Sequence, residues 1–234
     1  MTDHAAVLDR ALTSAAAVPQ FGAAFDVAGA YRIQEDVVAR RLARGERVVG
    51  VKMGLTSRAK MTQMGVDEVI WGRLTDAMRV ADGGTLAMAG RIHPKAEPEV
   101  AFLVGDGGIA AVAPAIEIID SRYENVRFTR PEVIADNTSA AGFVVGAWQP
   151  VPDGVDNLGV LMEIDGRPAE IGSTAAILGD PRRAFAEARR LAGDLADGWI
   201  VLAGAATAAV ALHPGAVVRV TVEKLGTATF KASS

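Results

Sequence analysis

The chain contains no cysteine. That excludes a disulfide framework, thiolate metal sites and a cysteine nucleophile, and it suits a reducing compartment. Aromatic residues are scarce at 5%, too few to build stacking platforms for bases. Positive charge is not in excess: 24 Lys and Arg stand against 28 Asp and Glu, a formal net charge of −4. A nucleic-acid binder would carry a basic stripe instead. No run approaches the roughly 18 apolar residues that span a bilayer, and the opening MTDHAAVLDRAL lacks the apolar stretch of a signal peptide. The three histidines, His4, His93 and His213, share no metal-ligand spacing. No GxGxxG, Walker loop or Ser-His-Asp order occurs. Half of the 234 residues are hydrophobic, enough for a sizeable core. The expectation is a soluble, cytoplasmic globular protein.

Apolar periodicity predicts helices over 3–17 and 26–44, the second capped by Asp26, apolar at Val27, Tyr31, Val38 and Leu42, and closed by Gly45. RVVGVKMGL (47–55) reads as a strand leading into a loop, and SRAKMTQMG (57–65) as a short helix. Beyond residue 80 the texture changes to short β-branched runs separated by Gly, Pro, Asp and Asn. VGDGGIA supplies a tight turn between two of them, and 213–230 reads as a closing hairpin. Two helical interruptions are predicted, at 129–142 and at 180–198, the latter with Asp180 as cap, Pro181 at its first position and Gly198 past its end. The expected fold class is therefore α+β: a small helical N-terminal part (1–46) on a β-rich mixed-sheet core (47–234).

Within HPKAEPEVAFLVG two glutamates flank a proline. Alternation along a strand places Glu97 and Glu99 on one face, and Pro98, which cannot donate to a ladder, predicts a strand end or edge. Two adjacent anions raise each other's pKa unless a cation holds them. A third glutamate, Glu117, sits in PAIEIID between two isoleucines, where a lone carboxylate is costly to bury. Three glutamates on apolar strands point to a hard, oxygen-ligated ion, Mg²⁺ or Mn²⁺ rather than Zn²⁺. The competing reading makes them solvated edge residues or partners of Arg91 and Arg122. Lys52, flanked by apolar residues and glycines, is open between a structural ion pair and an acid, base or anion anchor. Asp120, Ser121 and Arg122 read as the turn after the Glu117 strand, and Asp136 and Asn137 as a cap or loop.

KMGLTSRAKMTQMGV (52–66), HPKAEPEVAF (93–102), PAIEIIDSRYENVRF (114–128) and VIADNTSAAGFVVG (133–146) together resemble the fumarylacetoacetate hydrolase superfamily, in its branch of 2-keto-4-pentenoate hydratases and 4-oxalocrotonate decarboxylases. The resemblance runs from about Tyr31 to Phe230. It implies a β-rich core with one Mg²⁺ or Mn²⁺ held by Glu97, Glu99 and Glu117, and an active-site lysine at Lys52. It also implies substrate contacts from Leu55, Thr56, Asp120, Arg122 and Ser139, a small 2-oxo dicarboxylic acid as substrate, self-assembly and a partner hydratase.

Hydratases of this branch carry an Asp directly before the aromatic-Gly pair that follows GVD, whereas here, in GVDEVIWG, that position is Ile70. Water addition needs a base near the incoming water, and isoleucine is none. Decarboxylation needs no water, so the expected reaction is decarboxylation of 2-oxo-3-hexenedioate. An acylpyruvate hydrolase would want a lid His or Glu, for which the N-terminal part offers only His4. A non-catalytic partner subunit would have little reason to keep three costly glutamates and Lys52. One departure from the branch is the short connection between the Glu97–Glu99 strand and PAIEIID.

Overall fold

The computed structural model describes residues 2–57 and 68–234. The short helix expected at 57–65 falls almost wholly outside them. Asp3 caps α1 (His4–Ser14) by accepting from Ala6 N at 2.9 Å. Asp26 caps α2 (Val27–Ala43) by accepting from Gly29 N at 2.7 Å, so both boundaries follow from a short carboxylate satisfying a free helical N–H. The buried face of α2 runs through Ala30, Gln34, Val37, Val38 and Arg41. Leu42, expected on that face, is exposed.

The chain then forms β1 (Val48–Gly54), β2 (Ile70–Thr75), β3 (Gly84–Leu86), β4 (Lys95–Gly105) and β5 (Gly108–Ile119). A short helix α3 (Arg130–Ala135) follows, then β6 (Ala140–Val145), β7 (Gly159–Ile164), β8 (Arg167–Ser173) and helix α4 (Pro181–Ala192). The chain ends in β9 (Ile200–Leu202), β10 (Val210–Ala211), β11 (Val217–Val222) and β12 (Gly226–Ala232). Among the described residues there are two sheets, one ordered β2-β1-β9-β4-β5-β6 with β10 also on β4, the other β3-β12-β11-β7-β8. Their facing sides bury Phe102, Ile116, Met162, Val218, Val220 and Phe230, each side chain contributing about 1.5–3 kcal/mol by leaving water. The α+β class is as expected, and so is the closing β11–β12 hairpin.

β4 and β5 form a long antiparallel hairpin around Asp106 and Gly107, both at positive φ, the geometry of a two-residue hairpin turn. Pro98 is not at an edge. It lies inside β4, opposite Ile116, with β9 and β10 on the other side of the strand. The carbonyl of Pro98 accepts from Ala206 N at 2.9 Å, so the side that lacks an N–H faces the 203–209 connection between β9 and β10, where no ladder bond is required.

Both predicted helical interruptions are shorter than expected. α3 begins with a Thr129–Glu132 capping box and ends at Ala135, and residues 140–142 belong to β6. α4 stops at Gly193, at φ 79°, five positions before Gly198. A nearer glycine in the left-handed region ended the helix first.

Candidate metal centre and cavity

β4 and β5 meet with Glu97 directly opposite Glu117. Alternation along β4 brings Glu99 to the same face. One carboxylate oxygen from each of the three lies within 4.8 Å of the other two. All three are buried, Glu97 at 7%, Glu99 at 1% and Glu117 at 0% exposure, so they are not the solvated edge residues of the competing reading. Glu99 Oε2 accepts from Gly204 N at 2.9 Å, while Glu99 Oε1 and both Glu117 oxygens receive no directed hydrogen bond.

Lys52 on β1 reaches across to this face. Its ammonium lies 2.9 Å from Glu117 Oε1, an ionic contact off the hydrogen-bonding direction, and donates to the Thr138 carbonyl at 3.0 Å. Among the described residues, Glu99 has no ion pair. Burial, reinforced by Glu117 and Glu97, pushes the Glu99 carboxyl well above the usual range. Burial also raises Glu117, against the opposing pull of Lys52. Orphaned, crowded carboxylate oxygens on rigid strands, an all-oxygen set among the described residues, fit a hard divalent cation.

The Lys52 anchor depends on an unusual loop. Asn137, Thr138 and Ser139 all adopt positive φ. What holds them is Asn137, whose Oδ1 accepts from Arg73 N at 2.8 Å and whose Nδ2 donates to Arg73 O at 2.9 Å. The side chain thereby pairs with β2 as a neighbouring strand would. Gly72 permits the close approach: a Cβ there would lie 2.4 Å from Thr138 Oγ1 and 2.7 Å from Asn137 O. The expected cap-or-loop feature is thus a clamp that aims the Thr138 carbonyl at Lys52.

A cavity of about 410 Å³ opens beside the glutamates. Lys52, Glu97, Thr138 and Ser139 form its polar side, and Leu55, Ile70, Phe128 and Val133 line its apolar side. Of the sequence-predicted substrate contacts, Leu55, Ile70 and Ser139 line this cavity. The other three lie behind it. Thr56 is buried against Gly204, where a Cβ would come within 2.0 Å of Thr56 Oγ1. Asp120 spends its carboxylate on Ile92 N and His93 N, at 3.0 and 2.5 Å, just before β4 begins. Arg122 forms a short buried ion pair with Asp136 and donates to the carbonyls of Asp120 and Ala140 at 2.7 and 3.3 Å. These are supports of the wall, satisfied before any ligand arrives.

Sequence reasoning missed two contributors. Lys95 also lines the cavity, and the two-residue period that joined Glu97 to Glu99 already placed it on their face. Gly204 supplies the N–H to Glu99, a role that only the β9 connection reveals.

No family model matches the chain. A 4-oxalocrotonate decarboxylase from a Pseudomonas species is 49% identical over 97% of this chain and 95% of its own length. A 2-keto-4-pentenoate hydratase from Paraburkholderia xenovorans is 33% identical over 86% of this chain and 82% of its own. The solved structure of 4-oxalocrotonate decarboxylase from Pseudomonas putida, complexed with magnesium and adipate, superposes with a TM-score of 0.90 at 34% identity, covering 97% of this chain and 95% of that one. The fold is thus shared with a decarboxylase whose structure was solved with magnesium and adipate. The chain belongs to the family of 4-oxalocrotonate decarboxylases and 2-keto-4-pentenoate hydratases.

Proposed function

We propose that the chain is a carboxy-lyase that converts 2-oxo-3-hexenedioate (4-oxalocrotonate) to 2-hydroxypenta-2,4-dienoate and CO₂ in aromatic catabolism. The observation that carries the reading is Ile70, a buried apolar residue of the cavity wall at the position where hydratases of the branch carry a carboxylate. The greater identity to a decarboxylase than to a hydratase supports it. Glu97, Glu99 and Glu117 would hold Mg²⁺ or Mn²⁺, which when bound supplies Lewis acidity to the oxygens of a 2-oxo acid.

The substrate is a vinylogous β-keto acid. As the C5–C6 bond breaks, its electron pair moves through the alkene toward the C2 oxygen, and one proton taken up from solvent there completes the 2-hydroxy dienoate. Lys52, fixed by Glu117 and Thr138, is a preorganised cation for that charge. Leu55, Ile70 and Val133 keep the far side of the cavity apolar, a setting that disfavours the carboxylate and favours neutral CO₂. Ser139 is the hydroxyl available for orienting the substrate, with Thr56, Asp120 and Arg122 as positioning residues behind it.

The helical part, 1–46, backs the apolar wall: Gln34 donates to the Trp71 and Ile134 carbonyls at 2.9 and 3.0 Å, and Tyr31 stacks on Trp71. The remaining 47–234 carries the charged groups. The same reading places the enzyme in the cytoplasm, self-associated and able to bind the hydratase that consumes its product, which co-elution of the two purified enzymes tests.

Incubation with 2-oxo-3-hexenedioate and Mg²⁺ is expected to release CO₂ stoichiometrically with dienoate formation. Hydration of 2-hydroxypenta-2,4-dienoate without CO₂ release from the diacid would overturn the reading.

A further inference from the structure

We propose that Lys95 selects dicarboxylates, pairing with the substrate carboxylate that lies away from the glutamate triad; this rests on the 2-oxo diacid reading above. Lys95 opens β4 and shares the face of Glu97 and Glu99, roughly 7 Å along the strand from Glu97 at the rise of an extended chain. That spacing lies within the reach of a six-carbon diacid. Its register partners, Ile119 on β5 and Ala211 on β10, offer no side-chain charge. Two lysines line the cavity among the described residues. Lys52 is already committed to Glu117 and Thr138. Lys95 is half-buried and has neither an ion pair nor a hydrogen bond among the described residues. Leu55, Ile70, Phe128 and Val133 give a second carboxylate nothing to pair with, and an unpaired anion against such a wall is costly. Lys95 is the cation the cavity holds in reserve for it.

Partial exposure sets the size of the effect. A solvent-screened ion pair is weak, enough to discriminate between ligands, yet too weak to hold back a carboxylate that must leave as CO₂. Lys95 therefore acts on binding more than on the chemical step.

The test titrates Mg²⁺-loaded protein with adipate and with hexanoate, and measures turnover of the diacid. Lys95→Met is expected to weaken adipate about five- to tenfold and to raise KM by a similar factor, with the loss falling on KM rather than kcat. Hexanoate affinity should stay as in the wild type, and Lys95→Arg should restore adipate binding. Equal adipate affinity in wild type and Lys95→Met overturns the proposal while leaving the diacid site intact. Equal weakening of adipate and hexanoate overturns it too, because selection would be absent. Failure of the Mg²⁺-loaded wild type to bind adipate at all defeats the underlying reading of the site instead.

Discussion

Two buried charge clusters lie within a few strands of each other and differ in one respect. Behind the cavity, Arg122 and Asp136 form a closed set: the guanidinium donates to the Asp136 carboxylate and to the Asp136, Asp120 and Ala140 carbonyls. Burial pushes Asp136 up to about 6, against the pull of Arg122. In front, among the described residues, Lys52 pairs with Glu117, Glu99 has no ion pair, and Glu99 Oε1 and both Glu117 oxygens have no hydrogen-bond donor. The first cluster is complete within the chain. The second keeps carboxylate oxygens without a donor, Glu99 Oε1 and both of Glu117, and that difference suits it to a cationic ligand.

Breaking the complete cluster gives the largest effect on stability. Arg122→Met leaves the Asp136 carboxylate buried and alone, which costs about 3–5 kcal/mol and lowers Tm by on the order of 10 °C. Thermal unfolding with and without Mg²⁺ checks this, since the loss should be the same in both. The double variant Arg122→Met/Asp136→Leu should recover most of it. A double variant no more stable than Arg122→Met would remove the paired-charge explanation.

At Glu99 the incomplete cluster should respond in the opposite sense. Glu99→Gln removes a carboxyl with no ion pair among the described residues, so that metal-free variant should be at least as stable as the metal-free wild type, whereas Glu117→Gln also takes the buried partner from Lys52 and should cost stability. The wild type at 100 times Kd of Mg²⁺ gains about 2.7 kcal/mol, a Tm rise of roughly 5–10 °C. Neither variant should show that gain, and turnover should fall on the order of 100-fold or more. Full wild-type activity in EDTA would sink the metal site.

The clamp that joins the two clusters is expected to give a smaller change. Asn137→Ala frees Arg73 N and O on β2 and leaves a part-buried N–H unpaired, at about 1–3 kcal/mol. It also releases the left-handed turn that aims the Thr138 carbonyl at Lys52, so turnover should fall with stability. Full activity at unchanged Mg²⁺ affinity would show that the carbonyl plays no part in placing Lys52.

The incomplete cluster was the more legible of the two in the sequence. Alternation alone placed Glu97 beside Glu99, and an isolated glutamate in an isoleucine run flagged Glu117. Which residue faces which, Glu97 against Glu117, required the hairpin register. The closed cluster was read as turn and cap chemistry, because Asp120, Arg122 and Asp136 are ordinary turn residues until β6 and α3 bury them. Pro98 misled toward an edge, since sequence does not show a gap between β9 and β10. β8 went unread because RPAEIGS is polar, contains a proline and sits at a sheet edge, where the apolar alternation that announces a half-buried strand is absent. The N-terminal helices and the closing hairpin were legible because caps and period-2 runs are local signals.

The smallest expected effect sharpens the contrast through pH. Burial and mutual repulsion raise Glu99, and burial raises Glu117. A carboxyl whose folded pKa lies above its unfolded value binds its proton more tightly in the fold. Its contribution to the stability of the metal-free protein is then fully present below the ordinary carboxylate range, near 4.5, and is lost as pH rises through the raised folded values. A metal ion replaces those protons, so Mg²⁺ binding should release protons and weaken as pH falls. Calorimetric titration in two buffers of different ionisation enthalpy measures the release directly. The Mg²⁺-induced rise in Tm should likewise grow with pH in the wild type and be flat in Glu99→Gln. Binding without proton release across the acidic range would mean that Glu99 and Glu117 are already ionised without the metal, despite their burial.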